Sequence, residues 1–532
     1  MSLASHLPAR PLAAASRVAL LLFAAAGAAW GEEAAYRNPV LAGDYPDPSI
    51  IRVGRDYWAT ATTSEWGPQF PLLHSRDLVN WENTGPVFAH RPEWAVGNFW
   101  APEISEWKGR YFIYYVGRKR NGPLSVAVAS ADRPQGPYTD HGPIVSQEDG
   151  SIDPVPVTNE NGERWLVWKE DGNSRRQPTP LWAQRLDEAG TKLIGERFEL
   201  MRNDAPWEGA VVEGPYILKR GDYYYLFYSG SGCCGRGCAY ALGVARARAL
   251  LGPWEKDPRN PILGGSEAWK CPGHGSIVVD EQGRDWLLYH AYDSRTFVFT
   301  GREMFLDEVK FGPDDWPVIN SGAGPSVSAP SPFGSRQLRK ETRFFDRFRG
   351  KVLWPGWQWP QDNEPSASLI GGRLLLAPQP DHAADPLGAI MARATTSGDY
   401  VATAALQAAA LRPGVTAGLA AIGDPANALG ISVGDGKAIV WQRVKNQRQV
   451  LAEAPGVAWP TVHLRLTATG GIRFQFAVSH NGHDWKPVGE QAEGGYLPPW
   501  DRSVRVGLTV GGTAGAAAQF DYVRIEPTKS RF

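Results

Sequence analysis

Three carboxylic acids and a histidine stand out because each precedes a similar strand signal by a similar distance. Asp47, Asp153, Glu213 and His274, with Glu103 between the first two, lie in the settings PDPS, IDP, VEGP, PGHG and APE. Each stands eight to twelve residues ahead of an aromatic that follows a glycine and one or two polar residues. Those aromatics are Tyr57, Tyr111, Trp165, Tyr224 and Trp286, in the repeats Gly54-Arg55-Asp56-Tyr57, Gly109-Arg110-Tyr111, Gly162-Glu163-Arg164-Trp165, Gly221-Asp222-Tyr223-Tyr224 and Gly283-Arg284-Asp285-Trp286. Paired carboxyl groups converging on one opening are the means of glycoside hydrolysis. One protonates the leaving oxygen while the other acts from the far side of the sugar. The two stand roughly 6.5–9.5 Å apart when a water fits between base and sugar, and near about 5 Å when the second is a nucleophile. Glu213 lies in the apolar run Val211-Val212-Glu213-Gly214-Pro215, which predicts a desolvated carboxyl able to hold a proton.

The period behind these residues predicts the architecture. A repeat of this length, built of short strands and glycine turns, is the signature of a β-propeller with one repeat per four-stranded blade. Five copies predict a five-bladed propeller over residues 36–321, with one ionisable side chain per blade at one end of the channel. A Gly-, Ser- and Pro-rich stretch, NSGAGPSVSAPSPFG, predicts an exposed linker over 322–341. Beyond it the strands alternate, as in Val462-His463-Leu464-Arg465-Leu466, and predict a second all-β unit over 342–528, a β-sandwich. The string Ser479-His480-Asn481-Gly482-His483-Asp484-Trp485 occurs once, outside the repeats, and is expected to be a hairpin turn with a packed tryptophan.

Composition narrows the function. At 532 residues two domains are expected. Lys plus Arg (55) and Asp plus Glu (56) cancel to a net charge of −1 with no basic block, which argues against nucleic acid as a partner. Residues 1–31, with Arg10 and Arg17 ahead of the apolar Val18–Ala28, read as an export signal, so a secreted or periplasmic protein with no membrane span after cleavage is expected. Export permits disulfides among Cys233, Cys234, Cys238 and Cys271, whose pairing the sequence leaves open; their spacing does not suit zinc.

At the level of whole motifs, NPVLAGDYPDPSI (38–50), FWAPEI (99–104), SIDPVPV (151–157), VVEGPYILKRGDYYYLFYS (211–229), PGHGSIV (272–278) and GRE (301–303) resemble glycoside hydrolase family 43. FDRF (345–348), WQWP (357–360) and FDYVRI (520–525) resemble the concanavalin-like C-terminal domain of some of its members, notably β-xylosidases. The resemblance implies an inverting hydrolase acting on arabinose- and xylose-containing plant-type polysaccharides. It implies Asp47 as general base, Glu213 as general acid, and Asp153 as the residue that tunes the acid and orients substrate. It further implies Arg302 as substrate-binding, Trp100 and Ala101 as a strip of the glycone pocket, and His274 as an axial histidine near a bound metal ion in arabinan-cleaving relatives. No cofactor is expected to be required. Trp66 is expected either to stack on sugar or to serve as blade core. Ser64 stands where the family's β-xylosidases tend to carry an aromatic wall, and Glu103 is expected to be structural. The cysteine loop 232–238 is expected to shape a subsite or to be a braced surface loop. Competing readings are an endo-arabinanase, a retaining invertase-like fructosidase and a propeller that binds carbohydrate without turnover. Against the fructosidase stand Pro46-Asp47-Pro48-Ser49, Ile152-Asp153-Pro154 and Glu213-Gly214, none of which reproduces that class's motifs.

Overall fold

Gly54, Gly109, Gly162, Gly221 and Gly283 all have positive φ, between 54° and 78°, with open space where a Cβ would stand. Backbone conformation therefore selects glycine here. Each closes a hairpin between the first and second strands of a blade: Ser49–Val53 with Asp56–Thr60, Trp100–Trp107 with Arg110–Arg118, Ser151–Thr158 with Arg164–Glu170, Val212–Arg220 with Tyr223–Gly230, and Trp269–Val279 with Asp285–Asp293. In this computed structural model, which describes residues 34–338 and 343–528, each hairpin gains two further antiparallel strands to make five four-stranded sheets. The innermost strand of each sheet packs on that of the next, and the fifth packs on the first. The expected export segment lies outside the described residues.

The ring is closed by its own N-terminal segment. Asn38 donates from Nδ2 to the Leu306 carbonyl (2.9 Å) and accepts from the Leu306 N–H (3.0 Å), and Leu41 bridges Met304. Ala35–Arg37 pairs with Ser328–Pro330. The latter pairing corrects the expectation of an exposed linker over 322–341. Ser326 and Pro332 are buried, and Asn80 hydrogen-bonds the backbone of Arg336 and Leu338, so the described part of this segment is strapped to the propeller. Strand pairing over Ser328–Pro330 and the Asn80 bonds satisfy part of its backbone.

From Phe344 two antiparallel sheets, one of nine strands and one of six, face each other across a shared apolar core. Val462–Thr469 alternates buried and half-buried residues along its length, as a strand with one face on a core must. In the 479–485 hairpin, Ser479 Oγ accepts from the N–H groups of Asn481 and Gly482. Asn481 Oδ1 accepts from those of His483 and Asp484, and Arg465 covers the Trp485 ring at 4.5 Å.

The two units share a buried seam. Trp66-Gly67, an excursion of blade one, pairs with Trp359-Pro360. The Trp66 ring, 1 % exposed, packs among Leu387, Ile390, Ala420 and Trp441 of the second unit. Trp66 is therefore neither a sugar platform nor blade core, because its excursion carries it outward into the sandwich. Arg505 lies over the same ring at 5.1 Å and donates to Asp44 Oδ2 at 2.8 Å, with both side chains about 2 % exposed. Trp66→Ala is expected to cost about 3–5 kcal/mol, and Arg505→Ala, which strips Asp44 of its cation, about 3–5 kcal/mol. Because the two side chains touch, the double variant should lose less than the sum in urea denaturation. Additive losses would mean that the ring and the ion pair act independently.

Candidate active site

Each inner strand carries left-handed backbone in or just before its channel-side half: Asp47 (φ 52°), Ala101 (42°), Asp153 (54°), Gly214 (57°) and His274 (33°), with Cys271 (54°) a second such residue in blade five. In blades two to five these residues fall within an interruption of pairing with the second strand, between Trp100 and Glu103, Ile152 and Val155, Glu213 and Tyr216, and Lys270 and Gly275. Such bulges turn a side chain out of the pleat. Glu103 is thus not the counterpart of the other acids: Ala101 holds that place in blade two, and Glu103 is two residues deeper in the strand. There burial pushes the Glu103 carboxyl up to about 8, opposed by the Ser49 hydroxyl and Arg164. Glu103 does not line the cavity onto which Asp47, Asp153, Glu213 and His274 open.

That cavity measures about 790 Å³. At its floor the buried Asp47 accepts from Arg302 Nη1 at Oδ1 (3.0 Å) and from the Thr62 hydroxyl at Oδ2 (2.7 Å). Burial alone would raise its carboxyl. Arg302, with the His274 ring and the Thr62 hydroxyl behind it, outweighs that and holds it at about 2. His290, kept neutral by burial and by Arg302, accepts the Asp47 N–H at Nδ1 (3.0 Å). Thr62 also accepts the Ala101 N–H at 2.7 Å. Ala101 itself is 4 % exposed and does not line the cavity. The expectation that it touches sugar is corrected to a backbone role, because its N–H meets Thr62 while its methyl group packs with Val116, Leu124 and Ile152.

Asp153 accepts the Gly214 N–H at Oδ2 (2.8 Å), and His274 Nδ1 lies 3.5 Å from Asp47 and 4.0 Å from Asp153. Burial raises the Asp153 carboxyl to about 6; His274 opposes the shift and the neighbouring Glu213 adds to it. Gly214 must be glycine: a Cβ there would stand 2.8 Å from the His274 ring.

Glu213 is not set in apolar surroundings, as its flanking valines suggest. Oε2 accepts from Lys169 Nζ (2.7 Å) and Oε1 from the Tyr240 hydroxyl (2.9 Å). Lys169 is fully buried and also donates to Asp171 (2.8 Å) and Asn173 (2.9 Å). Burial opposes its charge, but Glu213, Asp171 and Asp153 more than compensate and raise the ammonium above its ordinary value. Sequence reasoning missed Lys169; the available signal was one lysine closing the apolar strand Trp165–Trp168 of blade three.

Trp100 and Arg302 line the cavity, as expected. Ser64 does not; it bridges Phe99 and is buried. The aromatic wall beside Trp100 comes from the sandwich, whose Trp500 is 60 % exposed and meets the Trp100 ring edge-on at 6.0 Å. Next to it, the Asp501 carbonyl accepts from Arg302 Nη2 at 3.1 Å. Nothing local in Pro498-Pro499-Trp500-Asp501 announces this. For the metal ion expected near His274, the described residues contain no ligating group of three or more His, Cys, Asp or Glu side chains. His274 Nδ1 faces two aspartates, and the Asp47 oxygens are engaged by Arg302 and Thr62, so these residues do not form a metal cage. The cysteines pair as Cys233–Cys234 and Cys238–Cys271.

Residues 36–317 match the family described as Glycosyl hydrolases family 43, and residues 345–526 the Beta xylosidase C-terminal Concanavalin A-like domain. A Humicola insolens protein named Xylosidase/arabinosidase 43B is 31 % identical over 370 residues, 64 % of this chain and 65 % of its own, so the match spans just under two thirds of that relative's length. An extracellular exo-α-(1→5)-L-arabinofuranosidase of Cellvibrio japonicus is 30 % identical over 47 % of this chain and 80 % of its own. Among solved structures, the family 43 protein BlXynB of Bacillus licheniformis superposes with a TM-score of 0.79 at 27 % identity, over 93 % of this chain and all of that one. With a propeller of five sheets, a sandwich seated on it, and a match over more than half its length, the chain belongs to glycoside hydrolase family 43.

Proposed function

We propose that the protein is an exported, inverting glycoside hydrolase that removes α-L-arabinofuranosyl or β-D-xylosyl residues from plant-type polysaccharides. The observation that carries this reading is the convergence on one cavity of an aspartate held charged by Arg302 and a second carboxyl, Glu213, backed by Lys169 and a tyrosine hydroxyl. The names of the relatives above supply the choice of sugars. Export is supported by the apolar N-terminal run and by two disulfides, which persist in oxidising compartments.

In this reading Asp47, ionised across the neutral range, takes a proton from a water that attacks the anomeric carbon. The glycosidic C–O bond breaks as Glu213 delivers its proton to the leaving oxygen, and solvent returns a proton from Asp47 to Glu213. The Tyr240 hydroxyl can accept as well as donate, so it accommodates Glu213 in both protonation states. Asp153, fixed by the Gly214 N–H, keeps a third carboxyl beside the acid. Arg302 is bound to Asp47 and to the sandwich backbone, so it orients the base and meets substrate from the same place. Trp500 and Asp501 close one side of the cavity, which favours release of single terminal sugars over cutting within a chain.

The reading is tested by turnover on an aryl α-L-arabinofuranoside, an aryl β-D-xyloside and linear arabinan. Asp47→Ala and Glu213→Ala should each lose about 10²–10⁴-fold, and NMR should show the first-formed sugar with inverted anomeric configuration. Turnover surviving both substitutions would sink the site, and a retained anomer would sink the single-step mechanism.

The Asp47 environment also sets a pH dependence of stability. Its folded carboxyl, at about 2, lies below an unfolded value near ~3.9. The stabilisation is therefore complete above about pH 5 and is lost as pH falls toward 2. Asp47→Asn should cost about 2–3 kcal/mol at pH 7 in urea titrations, with the gap to wild type narrowing below about pH 4. A gap independent of pH would show that the Arg302 contact does not control this titration.

A further inference from the structure

Cys233 and Cys234 are bonded to each other, and both line the cavity that holds Asp47, Asp153 and Glu213. The bond is not what anchors their loop. Cys238 ties the loop to Cys271, three residues before His274 on the inner strand of blade five. The Ala239 N–H donates to the Gly232 carbonyl (3.0 Å), the Gly235 N–H to the Tyr292 hydroxyl (3.3 Å), and Arg236 Nη2 to the Gly495 carbonyl of the sandwich (3.1 Å). A crosslink between adjacent residues encloses no intervening chain, so it restrains the unfolded state far less than the Cys238–Cys271 link does. Its consequence lies at the surface. Two half-buried thiols become one rigid ring with no rotating S–H, presenting soft, polarizable sulfur to the cavity.

The location says which part of a substrate meets that surface. Val212 and Glu213 pair with Gly230 and Ser229, and the Ser231 N–H donates to the Val211 carbonyl (3.2 Å). The disulfide therefore follows directly on the strand that backs Glu213, whereas Asp47 and Arg302 come from blades one and five. An acid that protonates the leaving oxygen stands on the leaving-group side of the bond it breaks. From blade three, Glu148, Asp149 and Arg175 add a polar rim to the same cavity, with Arg175 Nη1 3.0 Å from Glu148 and 2.8 Å from Asp149. We propose that the Cys233–Cys234 disulfide is a specificity-determining contact face for the leaving-group saccharide, packing against a C–H face of its ring while that polar rim meets its hydroxyls.

The proposal rests on the hydrolase reading, and one experiment separates the two. Wild type and the Cys233→Ala/Cys234→Ala variant are compared on a pentose-bearing oligosaccharide, with the free pentose as competitive inhibitor. The variant should keep its fold by circular dichroism and raise KM for the oligosaccharide about 10-fold, the range of one lost apolar contact in a pocket. Its kcat and the pentose inhibition constant should stay within about twofold of wild type. An unchanged KM, or a pentose inhibition constant that weakens in parallel with KM, overturns the leaving-group assignment. Wild type without turnover overturns the hydrolase reading and this inference with it. If the variant does not fold, phosphine reduction of folded wild type, mapped by mass to Cys233–Cys234, should produce the same selective rise in KM, and its absence overturns the inference.

Discussion

The site depends on a local break in the regular strand backbone that recurs in every blade. Asp47, Ala101, Asp153, Gly214 and His274 each take a left-handed backbone conformation at the mouth of the channel. Four of the five carry a Cβ, at a cost on the order of 1–3 kcal/mol each. Surrounding structure must hold such residues in place, and the partners are visible. His290 receives the Asp47 N–H, Thr62 the Ala101 N–H, and Ser229 the His274 N–H, while the Asp153 carboxylate receives the Gly214 N–H. The left-handed residues and the catalytic cluster share these partners: the Gly214 N–H ends on Asp153, and the Thr62 hydroxyl that receives the Ala101 N–H donates to Asp47.

Around this mouth the charges are neutralised in pairs that differ in kind. Asp47 meets the fixed fork of an arginine and stays ionised. Glu213 meets a lysine, a compact charge shared with Asp171 and Asn173. Asp153 is not hydrogen-bonded to Lys169, which acts on it only through space; it has His274 at the edge of contact and a backbone N–H, and burial raises its carboxyl to about 6. Two of the carboxyl groups in one cavity, Asp47 and Asp153, are thus driven in opposite directions by their neighbours, a separation of the kind that acid–base work uses.

The second domain belongs to this site. It takes Trp66 from the propeller into its own core and returns Trp500 and Asp501 to the cavity. The Asp44–Arg505 pair locks the exchange: the Asp44 carboxylate also receives the N–H groups of Arg302 and Ser503. Arg302 therefore touches the base on one side and the domain seam on the other, so the registry of the two domains and the placement of the base are coupled mechanically.

The five-fold period, the glycine hairpins at Gly54, Gly109, Gly162, Gly221 and Gly283, and the acids Asp47, Asp153 and Glu213 were legible in the chain, because strand alternation and tight turns are local and leave a local record. Glu103 was misaligned with those acids because a bulge shifts the phase of a strand without altering its composition. Trp66 was equivocal because a tryptophan in an excursion carries no mark of the core it will enter. Lys169 behind Glu213, Trp500 beside Trp100, the cysteine pairing and the strapping of the segment after Ser321 were decided only by the tertiary structure. Each is a contact between groups brought together by ring closure or domain docking, and the free energy of such contacts depends on three-dimensional neighbours that no spacing along the chain records.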